Sequence, residues 1–70
     1  MRYREVAKRL RRLGCQELRR GKGSHRIWHN AATGKVAAVP DWGSRDLAPG
    51  TVRAIIRELG ISRREFGSIK

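Results

Sequence analysis

An α+β domain, ordered α-β-β-β-α with a short C-terminal helix, is predicted by three features of this 70-residue sequence. Two apolar stripes recur at three- and four-residue spacing, one at Tyr3, Val6, Ala7, Leu10 and Leu13, the other at Val52, Ile55, Ile56 and Leu59. Such spacing marks a helix with one buried side. Between the stripes lie short β-prone runs broken by glycine-containing turns, the pattern of an antiparallel meander. The length allows a single domain, residues 1–70, with too little interior for a deep substrate cavity.

Each element has its own signal. Gly14 stops the first helix. Cys15 to Arg20 forms a short strand and Gly21-Lys22-Gly23 a loop; Ser24 to His29 forms a second strand, with Ile27 and Trp28 suited to a pleated surface. The turn Asn30-Ala31-Ala32-Thr33-Gly34 leads into a third strand, Lys35 to Pro40. After a loop, Pro49 takes the first position of the second long helix, which Gly60 ends. Ser62 and Glu65 are spaced as a capping box, with Ile61 and Phe66 placed as its hydrophobic staple, so a last helical turn precedes Gly67. One face of a three-stranded antiparallel sheet covers both apolar stripes. That is the layout of a double-stranded-RNA-binding-like fold, which meets RNA through shape and phosphates.

Charge narrows the partner. Lys and Arg number 17 against 6 Asp and Glu, a formal +11, and ten of the basic residues fall within residues 1–26 beside only two acids. Arg outnumbers Lys 13 to 4, and the planar guanidinium matches phosphate oxygens in pairs, so nucleic acid is the leading partner. The longest apolar run, Val36-Ala37-Ala38-Val39, is far too short to cross a membrane, and no apolar leader follows the charged Met1-Arg2-Tyr3-Arg4-Glu5. A cytoplasmic protein is expected. The single cysteine, Cys15, excludes an internal disulfide and fits a small buried apolar residue; no metal-ligand cluster is spaced in the chain.

Chemistry concentrates at Gly23-Ser24-His25, with Arg19, Arg20, Lys22 and Arg26 close in sequence. Cations around an imidazole favour its neutral, proton-accepting form, and glycine lets backbone amides approach a phosphate. A base for the ribose 2′-hydroxyl proton and cations for the charge on phosphorus oxygens are the parts of RNA self-cleavage. The residues alone leave His25 open between that role and an ordinary strand histidine. His29, four residues on, shares its strand face and is either a second acid or simply exposed. Pro49-Gly50-Thr51 opens a helix with free amides, and Arg53 and Arg57 lie one turn apart, a candidate phosphate seat or an ordinary surface helix. Trp28 fits the core; Trp42 is open between packing and base stacking.

Leu13-Gly14, Gly23-Ser24-His25-Arg26-Ile27-Trp28, Thr33-Gly34-Lys35, Val39-Pro40 and Gly50-Thr51-Val52-Arg53-Ala54-Ile55-Ile56-Arg57, followed by Gly60-Ile61-Ser62, together resemble the HicA-type (YcfA-like) toxins of toxin–antitoxin pairs over nearly the whole chain. The resemblance implies an mRNA interferase, a metal-independent endoribonuclease needing no cofactor, restrained by an acidic HicB-type antitoxin. It places the family's catalytic histidine at His25. Around it, Lys22, Gly23, Ser24 and Arg26, with Thr51, Arg53 and Arg57, are the expected RNA contacts. Many members carry a further histidine soon after the Val-Pro pair, a position held here by Trp42. Two other readings compete: a non-catalytic RNA-binding module, and a helix-turn-helix DNA-binding protein over Arg57 to Phe66, with Gly60 in the turn.

Overall fold

In a computed structural model, which describes residues 1–69, the elements follow in the expected order. Helix α1, Tyr3–Arg12, buries Val6, Ala7 and Leu10, and the chain leaves it through Gly14 in the left-handed region at φ +89°. Strands β1 (Cys15–Arg20), β2 (His25–Asn30) and β3 (Lys35–Pro40) form one antiparallel sheet in the order β1-β2-β3. Helix α2, Pro49–Glu58, begins on its proline and buries Val52, Ile55 and Ile56. The last turn, α3 (Arg63–Phe66), has the expected capping box: Ser62 Oγ accepts from the Glu65 amide at 3.1 Å, and Glu65 Oε1 accepts from the Ser62 amide at 3.2 Å. Ile61 and Phe66, the predicted staple, are both buried. With only four residues, α3 is too short to lie along a DNA groove.

Side chains alternate across the sheet, and the alternation gives its two faces opposite characters. Towards the helices point Trp28 and Asn30 of β2, Ala37 and Val39 of β3 and Cys15 of β1, all buried against Leu10, Leu47, Val52, Ile56 and Leu59. Trp28 is fully enclosed, and its indole N–H donates to the Tyr3 hydroxyl at 3.2 Å, so its role is structural as the sequence suggested. Burial raises the Tyr3 hydroxyl and the Cys15 thiol above their usual pKa ranges, which keeps Cys15 a protonated, apolar filler. The other face carries His25, Ile27 and His29 with Val36 and Ala38, and no helix among the described residues covers it.

Two features lay beyond the sequence patterns. The β1–β2 register shifts between Glu17 and Arg19, so Leu18 sits in a bulge and is 55% exposed. Asn30, a predicted turn residue, is instead the last residue of β2 and buried; its Nδ2 donates to the Leu59 carbonyl at 2.8 Å while its Oδ1 accepts from the Ala32 amide at 3.0 Å. Thr33 Oγ1 donates to the same carbonyl at 2.9 Å. The β2–β3 turn therefore caps the end of α2, satisfying a carbonyl that the helix leaves without a partner. Gly60 is forced by that junction: its φ is +73°, and a Cβ there would stand 2.9 Å from Thr33 Cγ2.

Candidate functional site

Antiparallel pairing and the helix directions bring the start of α1, the β1–β2 connection and the β3–α2 loop to one end of the domain. Leu47 donates its amide to the Met1 carbonyl at 2.7 Å, Arg2 bridges to Asp46, and the Asp41 amide donates to the Ser24 carbonyl at 2.8 Å. His25 stands at this end, where the chain re-enters the sheet.

The local geometry of His25 follows from the glycines before it. Lys22 to His25 form a β-turn closed by the His25 amide donating to the Lys22 carbonyl at 3.0 Å, with Gly23 at φ +59°, a conformation side chains resist. Gly21 then donates to the His25 carbonyl at 2.8 Å. It packs so closely that a Cβ would lie 3.2 Å from Ile27 Cδ1 and 3.5 Å from His25 Cβ. The exposed imidazole reaches back to the Lys22 carbonyl, Nδ1 to oxygen 3.2 Å. A carbonyl only accepts, so Nδ1 carries a proton, and in the neutral ring Nε2 is then the acceptor.

His25 lines a shallow hollow of about 180 Å³ with Arg20, Gly23, Ser24, Arg26 and Asp41. The two arginines differ in what they have left to give. Arg26 Nε and Nη2 engage Asp41 at 3.0 and 2.9 Å, Nη1 engages Glu17 at 3.1 Å, and the guanidinium lies 5.8 Å from the centre of the Tyr3 ring. The hydrogen bond it donates to Glu17, with that to Asp41, raises the Arg26 pKa further. Arg26 is thus a brace joining β1, β2 and the β3–α2 loop, its charge already matched. Arg20 has no acidic partner among the described residues and is the hollow's available cation. Lys22 contributes its carbonyl to the turn and stands beside the hollow.

Residues 3–61 match a family model described as HicA toxin of bacterial toxin-antitoxin. The chain belongs to the HicA toxin family. No curated protein and no solved structure matches it. As a HicA-family toxin it is one half of a toxin–antitoxin pair and has an antitoxin for a partner. No helix among the described residues is long and apolar enough to cross a membrane.

The remaining residues singled out in this HicA chain do not all gather at the hollow. Thr51 lies in the first turn of α2, which has no side-chain cap at Ala48. Arg53 and Arg57 line a separate groove of about 510 Å³ with Ile56, Ile61 and Arg63. His29 is half-buried on the open sheet face, about 13 Å along β2 from His25 by strand rise, and does not line the hollow. Trp42 is 41% exposed, next to Asp41, with the Arg45 guanidinium 5.1 Å from its ring centre. Sequence reasoning named no partner for Arg26, because Glu17 and Asp41 lie 9 and 15 positions away. The solvent flank of α1 is basic, as its sequence indicates: Arg4, Lys8 and Arg11 line a broad shallow depression there and carry no acidic partner among the described residues.

Proposed function

We propose that this HicA-family toxin is an endoribonuclease that cleaves mRNA, with His25 as its general base, and that its antitoxin is an acidic HicB-type protein. The observation that carries the reading is the contact of His25 with the Lys22 carbonyl: Nδ1 stands 3.2 Å from that oxygen, which in the neutral ring leaves Nε2 free to accept a proton, and the imidazole lines an open, cation-bearing hollow. In the proposed reaction Nε2 takes the proton of a ribose 2′-hydroxyl, and the 2′-oxygen attacks the adjacent phosphorus. The bond from phosphorus to the 5′-oxygen breaks; water at the open hollow protonates that oxygen and the hydroxide so formed takes the proton back from Nε2, leaving a 2′,3′-cyclic phosphate, a 5′-hydroxyl and neutral His25. Arg20 stabilises the negative charge on the phosphorus oxygens, and Gly23 and Ser24 let the RNA backbone approach. Lys22, Thr51, Arg53 and Arg57 serve as phosphate contacts outside the hollow, while Arg26 holds its wall. The chemistry calls for a base and cations, with no metal or cofactor assigned a part.

Induction of the chain alone in bacteria is expected to arrest growth and fragment transcripts, with cyclic-phosphate ends recovered at the cuts and growth restored by the antitoxin. Normal growth with intact mRNA, at verified folded expression, overturns the proposal. A second reading, RNA binding without cleavage, draws on Trp42 standing where many relatives have a histidine; it predicts RNA retention with no cut ends.

Affinity for RNA is expected to fall steeply with salt. About five phosphate contacts on a single strand give a log–log slope of roughly −3 to −4 through counterion release. Combining Arg53→Ala with Arg57→Ala removes about one to one and a half units of that slope. Titrations between 50 and 200 mM salt, roughly the range over which the counterion effect is large, check both statements. An unchanged slope in the double variant removes the α2 arginines from the interface.

A further inference from the structure

Trp42 is out of place for an aromatic residue in so small a domain. Of the four aromatic side chains, Trp28 and Phe66 are buried and Tyr3 is half-buried beside the Arg26 guanidinium, whereas the Trp42 indole is 41% exposed and lies outside the hydrophobic core. The core does not need it. Its backbone, by contrast, is held firmly. Trp42 follows Asp41, whose carboxylate is gripped by Arg26 at 2.9 and 3.0 Å and whose amide donates to the Ser24 carbonyl at 2.8 Å. Asp41 Oδ1 accepts from the Gly43 amide at 3.1 Å, Gly43 takes φ +60°, and the Arg45 amide closes the turn on the Trp42 carbonyl at 3.1 Å. That network seats Trp42 at the rim of the hollow, two residues beyond Pro40, the register partner of His25.

We propose that Trp42 and Arg45 form a nucleobase subsite: the indole stacks on a base of the RNA strand next to the phosphate held in the hollow, and the guanidinium meets that nucleotide's own phosphate. The hollow, about 180 Å³, is smaller than the roughly 300–1,000 Å³ of pockets that enclose a small molecule. It takes a phosphate and leaves the neighbouring bases beyond its rim. An exposed aromatic ring is what an unpaired base needs there, since every base has a π face and stacks without regard to sequence. The Arg45 guanidinium lies 5.1 Å from the ring centre and has no acidic partner among the described residues, so its charge is open to a phosphate. One nucleotide meets both groups, its base the ring and its phosphate the cation. The inference rests on the RNA reading of the hollow and holds whether or not the bound strand is then cut.

The chain's two tryptophans make the test direct. Trp28 is enclosed, so a change in tryptophan emission on adding a ligand reports Trp42. The probe is a single-stranded oligoadenylate with 2′-O-methyl groups, which has no 2′-hydroxyl to attack phosphorus, and the control is an abasic oligomer of the same charge. Oligoadenylate is expected to quench the wild-type emission, and the abasic oligomer to leave it unchanged. Trp42→Ala should bind oligoadenylate about 5- to 150-fold more weakly, the range for one stacked base, at an unchanged salt slope, and Trp42→Phe should recover most of the loss. Arg45→Ala should keep the quenching and lower the slope by about 0.7 units. Both side chains are exposed, so the melting temperature is expected to stay within a few degrees. Binding without quenching, equal quenching by the abasic oligomer, or wild-type affinity in folded Trp42→Ala overturns the subsite alone. So does a Trp42→Ala variant that loses antitoxin affinity and keeps its RNA affinity, which would make the indole a protein contact. Failure of the wild type to bind either oligomer overturns the RNA reading itself, and the subsite with it.

Discussion

His25→Ala is expected to abolish RNA cleavage while the domain stays folded and still binds its antitoxin. Loss of a general base costs about 10²- to 10⁴-fold in rate, enough to turn a growth-arresting protein into a tolerated one. The fold should hardly notice. The imidazole is exposed and its one hydrogen bond among the described residues runs to the Lys22 carbonyl, whereas the turn itself is closed by the backbone amide, which alanine keeps. A surface change of this kind shifts stability by no more than about 0.5 kcal/mol. Cleavage and thermal melting of wild type, His25→Ala and His29→Ala decide the matter. Wild-type cutting by His25→Ala would remove it from the chemistry; loss in His29→Ala alone would move the proton transfer 13 Å or so along β2.

Asn30→Asp is expected to unfold most of the population at physiological temperature, although it alters no atom of the hollow. The change exchanges a donating amide for a carboxyl of nearly the same shape, at a position only 4% exposed, against the Leu59 carbonyl at the end of α2. Removing one partner from a buried polar contact and leaving a charge there costs about 3–5 kcal/mol. In a domain of this size each kcal/mol is worth about 4–8 °C in melting temperature, so a fall of about 15 °C or more should be read. The sign with pH is fixed. Burial near a carbonyl and the negative end of a helix raises the introduced carboxyl's folded pKa above its unfolded value. The penalty is absent below the unfolded pKa, about 3.9, and grows as pH rises through the folded one. Melting curves at pH 5 and pH 7 should therefore show the larger deficit at pH 7; equal melting to wild type at both would deny the junction its role.

What the sequence made legible is what short-range rules govern. The apolar stripes of α1 and α2, Pro49 at a helix start, the Ser62–Glu65 box and the enclosure of Trp28 each follow from residues within one or two turns, or from strand alternation, and each stands where those rules put it. The same rules placed Gly23, Ser24 and His25 in one loop-to-strand junction. They are blind to contacts closed by tertiary folding. Nothing local tells that Arg26 is clamped between Glu17 and Asp41, that Asn30 reaches the last turn of α2, or that Arg53 and Arg57 share a groove with Arg63 away from the histidine. The bulge at Leu18 escaped for a related reason: a register shift exists only relative to a partner strand.

That bulge makes the two rims of the sheet unequal. A kinked, locally twisted strand is a poor template for another strand, whereas β3, with its Val36–Val39 run between Lys35 and Pro40, presents the straighter rim. Open-ended stacking requires two competent rims on every molecule, one to receive and one to be received. With only the β3 rim able to pair, any strand exchange between crowded, partly folded chains closes on itself at two molecules and cannot lengthen into a fibre.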